Sequence, residues 1–268
     1  MRKLIGLTAF VSLFLLCGCL DTIEETTLNE DGTGVYTNTA DMSKIFAVIN
    51  GMGGAMGSDN EKLKDLEKIA VDTVMLLKDI QDSSSKLTAA EKKLIEKGTA
   101  RLIMNYKQEK FTATYSIPFS KPADIIGIND LLKSSRGDIF EKQMKNALPG
   151  SGIGNDKDED MAMMGSGGGQ PDINNYFDFT YERSKLKKKV NKERYANAKD
   201  DKDLQSLQEM GGMGMPVNFK TIINLPKPAK KAEGKGVKLS DDRKKITIEG
   251  TIEDFLEDAS QFEYEIEF

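Results

Sequence analysis

The sequence predicts an α+β fold in which an antiparallel sheet is backed by several helices and interrupted by long Gly/Met-rich loops. Three observations favour this class. Segments typical of strands outnumber segments with helical spacing, the clearest short turns join antiparallel strands, and strands do not alternate regularly with crossover helices. The chain has 268 residues, of which 38% are hydrophobic, so it is large enough to bury a core.

Residues 1–18 have the composition of a secretion signal. Arg2 and Lys3 precede an apolar run from Leu4 to Leu16. These thirteen residues would rise about 20 Å as a helix, less than the ~30 Å hydrocarbon core of a bilayer. The segment is therefore better suited to export and removal than to a stable span.

The end of this segment, Leu16-Cys17-Gly18-Cys19, resembles the bacterial lipobox. The resemblance implies cleavage between Gly18 and Cys19 and lipid attachment to the Cys19 thiol. Two or three acyl chains would anchor the protein stably to a membrane. Leu20, rather than Asp, follows the cysteine, which favours the outer membrane over the inner one. The alternative is an ordinary signal peptide in which both cysteines occur by chance.

The composition excludes several kinds of function. The chain has no His, so imidazole-based nucleophile pairs and metal sites are unavailable. The formal charge of -5 argues against nucleic-acid binding, and no cofactor motif is present. No Ser lies in a nucleophile elbow, and no glycine-rich stretch has the features of a phosphate-binding loop. We therefore expect a protein that is not an enzyme and holds neither a metal nor a cofactor.

The mature chain is predicted to form one domain in two parts, residues 19–147 and 173–268, separated by a flexible Gly/Met/acidic loop at residues 148–172. A hairpin is predicted at its start because Asp31-Gly32 separates two β-prone runs. Helices are predicted at Glu61–Ile80, Ala89–Lys97, Ala123–Lys133, Ala196–Met210 and Glu253–Ala259. Further strands are predicted at Arg101–Tyr106, Phe111–Pro118, Tyr176–Val190, Pro216–Leu225, Lys244–Thr251 and Phe262–Phe268.

Eight of the thirteen methionines lie in three glycine-rich stretches. Such backbone disfavours helix and strand interiors, so we expect loops. The side chains could fold back on the core, contact acyl chains or an apolar partner, or bind Cu(I) through thioether sulfur. The candidate ligand or membrane contacts in these stretches are Met52, Met56, Met163, Met164, Met210, Met213 and Met215.

A second candidate contact consists of lysines on a predicted strand. Lys185, Lys187 and Lys189 would project from one face of that strand, opposite Leu186, Lys188 and Val190. These three lysines could bind anionic head groups, each contributing about 1 kcal/mol near such a surface. The alternative is a solvated face that prevents edge-to-edge strand pairing.

Two regions of the mature chain weakly resemble the LppM-like bacterial lipoprotein domain. The matching segments are the hairpin from Asp21 to Ala40, Ile222-Ile223-Asn224-Leu225-Pro226, Lys245–Thr251, Phe255-Leu256 and Glu263–Phe268. The resemblance implies a lipid-anchored α+β module with a cavity for lipid-like molecules between its sheet and helices. It supplies no binding residue for this chain.

Together these features predict a lipid-anchored protein of the bacterial cell envelope that binds an apolar ligand or membrane lipid. Its membrane contact would be made through the N-terminal lipid. The alternatives are a structural or interaction subunit of an envelope protein complex and, with less support, a Met-based Cu(I)-binding protein.

Overall fold

In the part of the chain that the structure describes, strands are more frequent than helices, and they form two sheets. The computed structural model describes residues 20–44, 46, 68–80, 87–132, 139, 143, 172–212 and 215–268. Within these ranges, one sheet has eight strands and the other has four. The predicted α+β fold, with an antiparallel sheet backed by several helices, is wrong because strands dominate, the larger sheet is mixed and the helices are short.

The strands differ in length from two to ten residues. They are β1 (Leu20–Leu28), β2 (Gly34–Asp41), β3 (Ala70–Leu76), β4 (Thr99–Asn105), β5 (Lys110–Phe119), β6 (Phe177–Glu182), β7 (Lys185–Val190), β8 (Val217–Asn224), β9 (Lys231–Glu233), β10 (Lys238–Leu239), β11 (Lys245–Thr251) and β12 (Tyr264–Glu267). The larger sheet has the order β10-β11-β8-β1-β2-β5-β4-β3, and the smaller sheet has the order β6-β7-β12-β9.

The larger sheet is mixed because β1 and β8 are parallel. They pair from Leu20 beside Val217 to Thr27 beside Asn224, whereas every other neighbouring pair in this sheet is antiparallel. Parallel neighbours cannot be joined by a short hairpin, so the pairing comes from segments far apart in the sequence. As a result β1 is a central strand, with β2 on one side and β8 on the other.

The helices within the described ranges are short. They are α1 (Leu77–Ile80), α2 (Ala89–Ile95), α3 (residues 124–132), α4 (Lys192–Tyr195), α5 (Lys202–Gly212) and α6 (Ile252–Glu257). Two begin with a capping box, in which Thr88 and Glu91, or Thr251 and Asp254, exchange hydrogen bonds between side chain and backbone.

The core lies on one face of the larger sheet. Along β5 every second residue from Phe111 to Phe119 is buried, as expected for a strand with one covered face. Helix α2 packs on β5, and Phe262, which precedes the smaller sheet's β12, contacts Phe219 of β8. Phe255 of α6 packs against the rings of Tyr176, Phe177, Tyr195 and Phe262.

Several predicted elements are confirmed. The hairpin around Asp31-Gly32 pairs β1 with β2, and β4 pairs with β5 through a four-residue turn. The helices predicted near Ala89 and within 123–133 are present where the chain is described, as is the short helix before the last strand. In these cases the turn and capping residues lie next to the element that they define.

The predicted helix at Glu61–Ile80 is wrong over its second half. Residues Ala70–Leu76 form edge strand β3, helix begins only at Leu77, and residues 61–67 lie outside the described ranges. The sequence of β3, AVDTVML, is rich in β-branched residues, and pairing with β4 decides its conformation. The spacing of the apolar residues alone did not distinguish a helix from a strand in this segment.

Two later predictions also need correction. Tyr176–Val190 is not one strand, because Arg183 and Ser184 form a turn between β6 and β7. The helix predicted at Ala196–Met210 begins only at Lys202, after a short 3₁₀ turn at Ala198–Asp200. Both segments are rich in charged residues, which mask the apolar spacing used to place boundaries.

Replacing Gly34 with alanine is expected to destabilise the fold. A Cβ there would lie 2.1 Å from the Thr27 carbonyl oxygen and 2.3 Å from the Phe119 ring. Because one of these atoms is backbone, we expect a loss of about 1–3 kcal/mol in the free energy of unfolding, measured by urea titration. Gly212→Ala is the control, since a Cβ at Gly212 meets nothing within 4 Å. Equal stability of the Gly34→Ala variant and the wild type would contradict this packing.

Candidate functional site

The end of the larger sheet at which β1 begins is the candidate site. We call it the Leu20 end, and we call the opposite end, where β1 finishes, the Leu28 end. Leu20 lies beside Val217 of β8, and its backbone N–H donates to the Pro216 carbonyl at 3.4 Å. Gly18 and Cys19 lie outside the described residues. Because Leu20 directly follows Cys19, no tether separates the predicted attachment cysteine from a central strand.

The turn between β4 and β5 brings two lysines to the Leu20 end. Lys107 and Lys110 are exposed, and the Gln108 backbone N–H donates to the Asn105 side chain at 3.0 Å. Glu109 takes a left-handed backbone conformation (φ 49°) that closes the turn. On β1 itself, Asp21 lies 3.9 Å from the Lys44 ammonium. The Leu20 end therefore presents charged groups to its surroundings.

The best-described methionine stretch is also at the Leu20 end. Met210 lies in the last turn of α5 and packs against the core, and the Met215 N–H donates to the Met210 carbonyl at 3.0 Å, just before β8 begins. Met213 lies outside the described residues, as do Met52, Met56, Met163 and Met164. Phe46 and Ile69 both lie at the Leu20 end, where they contact Phe111 and Tyr106 respectively.

The lysines predicted to contact a membrane lie on the outer face of the smaller sheet, in ion pairs. Lys185 is 3.3 Å from both Glu265 and Glu267, Lys187 is 3.6 Å from Glu265, and Lys189 is 3.0 Å from Glu263. Lys231 of β9 lies 3.0 Å from Glu265. The glutamates on and beside β12 offset the positive charge of these lysines. Anionic head groups would have to compete with the glutamates for the three lysines, and head-group binding stays a prediction.

Glu265 is the acidic centre of this charged face. Hydrogen bonds from Lys231 and Lys185 stabilise its carboxylate and lower its pKa from 4.5 to about 2. Hydrogen bonds to Glu267 and, second, to Glu265 raise the pKa of the Lys185 ammonium. Glu265 on β12 thus pairs with lysines on both neighbouring strands, β7 and β9, and helps to hold the three strands together. We call this group of ion pairs the Glu265 ladder.

Lys188 points the other way from its strand neighbours and is buried between the sheets. Only 2% of its surface is exposed. Its ammonium donates to the Asn174 side-chain oxygen at 2.7 Å and lies 4.4 Å from the centre of the Phe177 ring. A cation over an aromatic face with a hydrogen-bond acceptor is a favourable environment for a buried ammonium.

Asn174 connects this cation to the larger sheet. Its side-chain nitrogen donates to the Glu24 carboxylate on β1, which also accepts a 3.1 Å hydrogen bond from the Tyr36 hydroxyl. Nearby, the hydroxyls of Tyr181 and Tyr264 are hydrogen-bonded, and burial raises the pKa of both tyrosines. Carboxylate, amide and ammonium therefore form a polar bridge, Glu24–Asn174–Lys188, across the interface between the two sheets.

Asn38 is a further polar group on the inner face, paired in register with Glu24. It is fully buried, and both polar atoms of its side chain lack a hydrogen-bond partner. An unpaired buried amide is costly. Together with the polar bridge, this amide gives the centre of the inner face a polar character that is unlike the lining expected around an apolar ligand.

A surface cleft of about 390 Å³ opens between α5 and α6. Its lining is mainly polar and charged, formed by Ala198, Lys199, Gln205, Gln208, Glu253, Leu256 and Glu257. This composition does not favour an acyl chain. In the described parts of the chain, His, Cys, Asp and Glu side chains form no group able to hold a metal ion, and no helix has the length and hydropathy of a membrane span.

Sequence reasoning missed the polar bridge. Lys188 was placed correctly on the face opposite Lys187, yet nothing suggested that this face would be the buried one. Glu24 lies in the middle of β1, and Asn174 lies beyond the predicted loop, so only the packing of the two sheets brings them together. Comparison of the chain with known protein families, with curated proteins and with solved structures found no match.

Truncating Lys188 is expected to destabilise the protein far more than truncating its neighbour. Lys188→Ala removes the cation that balances Glu24 through Asn174, so we expect a loss of about 3 kcal/mol in the free energy of unfolding. Lys187→Ala removes an exposed ion pair and should cost less than about 1 kcal/mol. Urea titration of the mature chain measures both. Equal losses would rule out the buried role of Lys188.

The Glu265 ladder predicts an acid-sensitive contribution to stability. Since folding lowers the pKa of Glu265, its contribution is present above pH 4.5 and is lost as the pH falls towards about 2. The stability difference between wild type and Glu265→Gln should therefore shrink across that interval in urea titrations. Glu209→Gln, on the exposed side of α5, controls for a general charge effect. A difference independent of pH would refute the assignment.

Proposed function

We propose that the chain is a lipid-anchored protein of the bacterial cell envelope, without catalytic activity, that binds membrane lipid through its Leu20 end. A lipid on Cys19 would hold the domain, with the outer membrane favoured as its location. The observation that carries the proposal is the position of Leu20, which is both the residue after Cys19 and the first residue of a central strand.

The short connection limits how the domain meets the membrane. One residue spans at most about 3.5 Å, so the Leu20 end would lie at the lipid surface rather than on a flexible stalk. Lys107 and Lys110 lie at this end, and each exposed lysine contributes about 1 kcal/mol near anionic head groups. Met210 and Met215 add adaptable apolar side chains at the same end.

Contact with bilayer lipid is favoured over an enclosed apolar ligand. The interface between the sheets contains Lys188, Asn174 and Glu24, and the cleft beside α5 is lined mainly by polar side chains. Both places lack the predominantly apolar lining that acyl chains require. We therefore infer that lipid contact is made at the outer surface of the domain.

Fluorescence quenching tests this orientation. Removal of Cys17 and lipidation of Cys19 would leave the mature chain without a free thiol, so a single new cysteine is labelled selectively. We expect a fluorophore at Lys107→Cys to be quenched by nitroxide-bearing lipids in vesicles. A fluorophore at Glu30→Cys should not be, because Glu30 follows the Leu28 end and β1 spans about 26 Å.

Both positions are exposed, which makes Glu30→Cys a matched control for labelling and mobility. Flotation with vesicles measures anchoring separately, and the same labelled chain without residues 1–19 should not float. Equal quenching at the two positions, or quenching only at position 30, would contradict the proposed orientation. Flotation of the chain without residues 1–19 would contradict the proposed anchor.

A further inference from the structure

Five basic side chains cluster at the Leu28 end, the end of the larger sheet away from Cys19. Lys245 pairs with Asn224, which lies beside Thr27 near the end of β1. The Leu225 N–H donates to the Lys244 carbonyl at 2.7 Å, which holds the preceding turn against the loop after β8. We call the group formed by Lys227, Lys230, Arg243, Lys244 and Lys245 the basic corner.

All five residues of the basic corner are exposed. The Arg243 guanidinium donates to the Ala229 carbonyl at 2.9 Å, and the Lys230 ammonium lies 3.3 Å from the Phe268 backbone oxygen. The other three lysines take part in none of the ion pairs found among the described residues. Their charges are therefore directed to solvent.

Two acidic residues lie in the same turn as the basic corner. Asp241 is exposed, and the Asp242 carboxylate accepts hydrogen bonds from the Ser240 hydroxyl at 2.6 Å and from the Lys244 N–H at 3.0 Å. These bonds shape the turn that presents Arg243, whose backbone is left-handed (φ 57°). The Glu25 carboxylate also lies near the corner, because it accepts a hydrogen bond at 2.6 Å from Asn224, the register partner of Lys245. Five cations against these three carboxylates leave the corner positively charged on a chain whose net charge is -5.

The basic corner is too far from the Leu20 end to act on the same lipid surface. β1 separates the two ends by about 26 Å, several times the Debye length of about 8 Å at physiological ionic strength. With the Leu20 end at the bilayer, the corner faces away from it. Its charge would therefore act on a partner located elsewhere in the envelope.

The surroundings of the corner favour a diffuse anionic partner. Among the described residues, the exposed large apolar side chains are Val35, Val74 and Leu76, which lie on β2 and β3. A membrane-inserting or tight protein interface would need apolar or aromatic anchors at the corner itself. Lysine ammonium groups are mobile point charges, which suit repeated anionic groups rather than one shaped ligand.

We propose that the basic corner binds an anionic polysaccharide of the cell envelope, one in which carboxylate or phosphate groups recur along the polymer. This inference rests on the proposed function, because the anchor at Cys19 is what turns the corner away from the lipid surface. The protein would then connect the membrane that holds its lipid to a polymer about one domain length away.

Retention on immobilised polymers tests the proposal. The lipidated chain in nanodiscs of zwitterionic lipid is passed over polygalacturonate, phosphorylated dextran and neutral dextran. These polymers carry carboxylate groups, phosphate groups and no charge, respectively, so they show which group the corner binds. We expect salt-sensitive retention on one or both anionic polymers. Losing each lysine removes a factor of about 5 near an anionic surface, and each introduced glutamate adds repulsion, so Lys227→Glu/Lys244→Glu should weaken binding by at least about 25-fold.

Lys192→Glu/Lys202→Glu is the matched control, because these lysines are exposed at the starts of α4 and α5 and the charge change is the same. It should keep its retention. Equal weakening in both variants, equal retention on neutral dextran, or capture of anionic vesicles with no retention on either anionic polymer would overturn the proposal. Two further measurements separate failure of the anchor from failure of the corner. Flotation with vesicles reports the anchor alone, and the chain without residues 1–19, passed over the same polymers, reports the corner alone and should still be retained on an anionic polymer.

Discussion

The pairing of β1 with strands on both sides is the constraint on which the rest of the structure depends. Strand β1 starts at Leu20, forms an antiparallel ladder with β2 and a parallel one with β8, and so joins two parts of the chain that are nearly 200 residues apart. Because both edges of β1 are paired, its first residue is fixed in the body of the protein. A lipid on the preceding cysteine would then be attached directly to the folded domain, without a flexible segment between the lipid and the domain.

The second feature that unites the molecule is polar rather than apolar. Asn174 donates to Glu24 of the larger sheet and accepts from Lys188 of the smaller one. A buried ion pair bridged by an amide adds little net stability compared with apolar packing, but each of its members is costly to remove alone. The bridge therefore favours one relative placement of the sheets, while aromatic contacts around Phe255 supply much of the apolar packing.

Local sequence signals predicted what local interactions determine. The hairpin at Asp31-Gly32, the strands around Arg101–Tyr106 and Phe111–Pro118, and a helix at Ala89–Lys97 were all predicted because their deciding residues are neighbours in sequence. The helix over Glu61–Ile80, the parallel pairing of β8 and the division into two sheets were missed because distant partners decide them. Of the candidate site, Cys19 follows from a short motif, whereas the meeting of Met215, Lys107 and Leu20 at one end requires the sheet topology.

Hydrogen exchange of the lipidated protein in nanodiscs tests the central claim most directly. If β1 is a central strand from its first residues, the backbone amides of Asp21–Leu28 that pair with β2 or β8 should exchange among the slowest in the domain, including those nearest the lipid. Rapid exchange over the first half of β1, with protection beginning only later in the strand, would show that a flexible tether follows the anchor and would contradict the account.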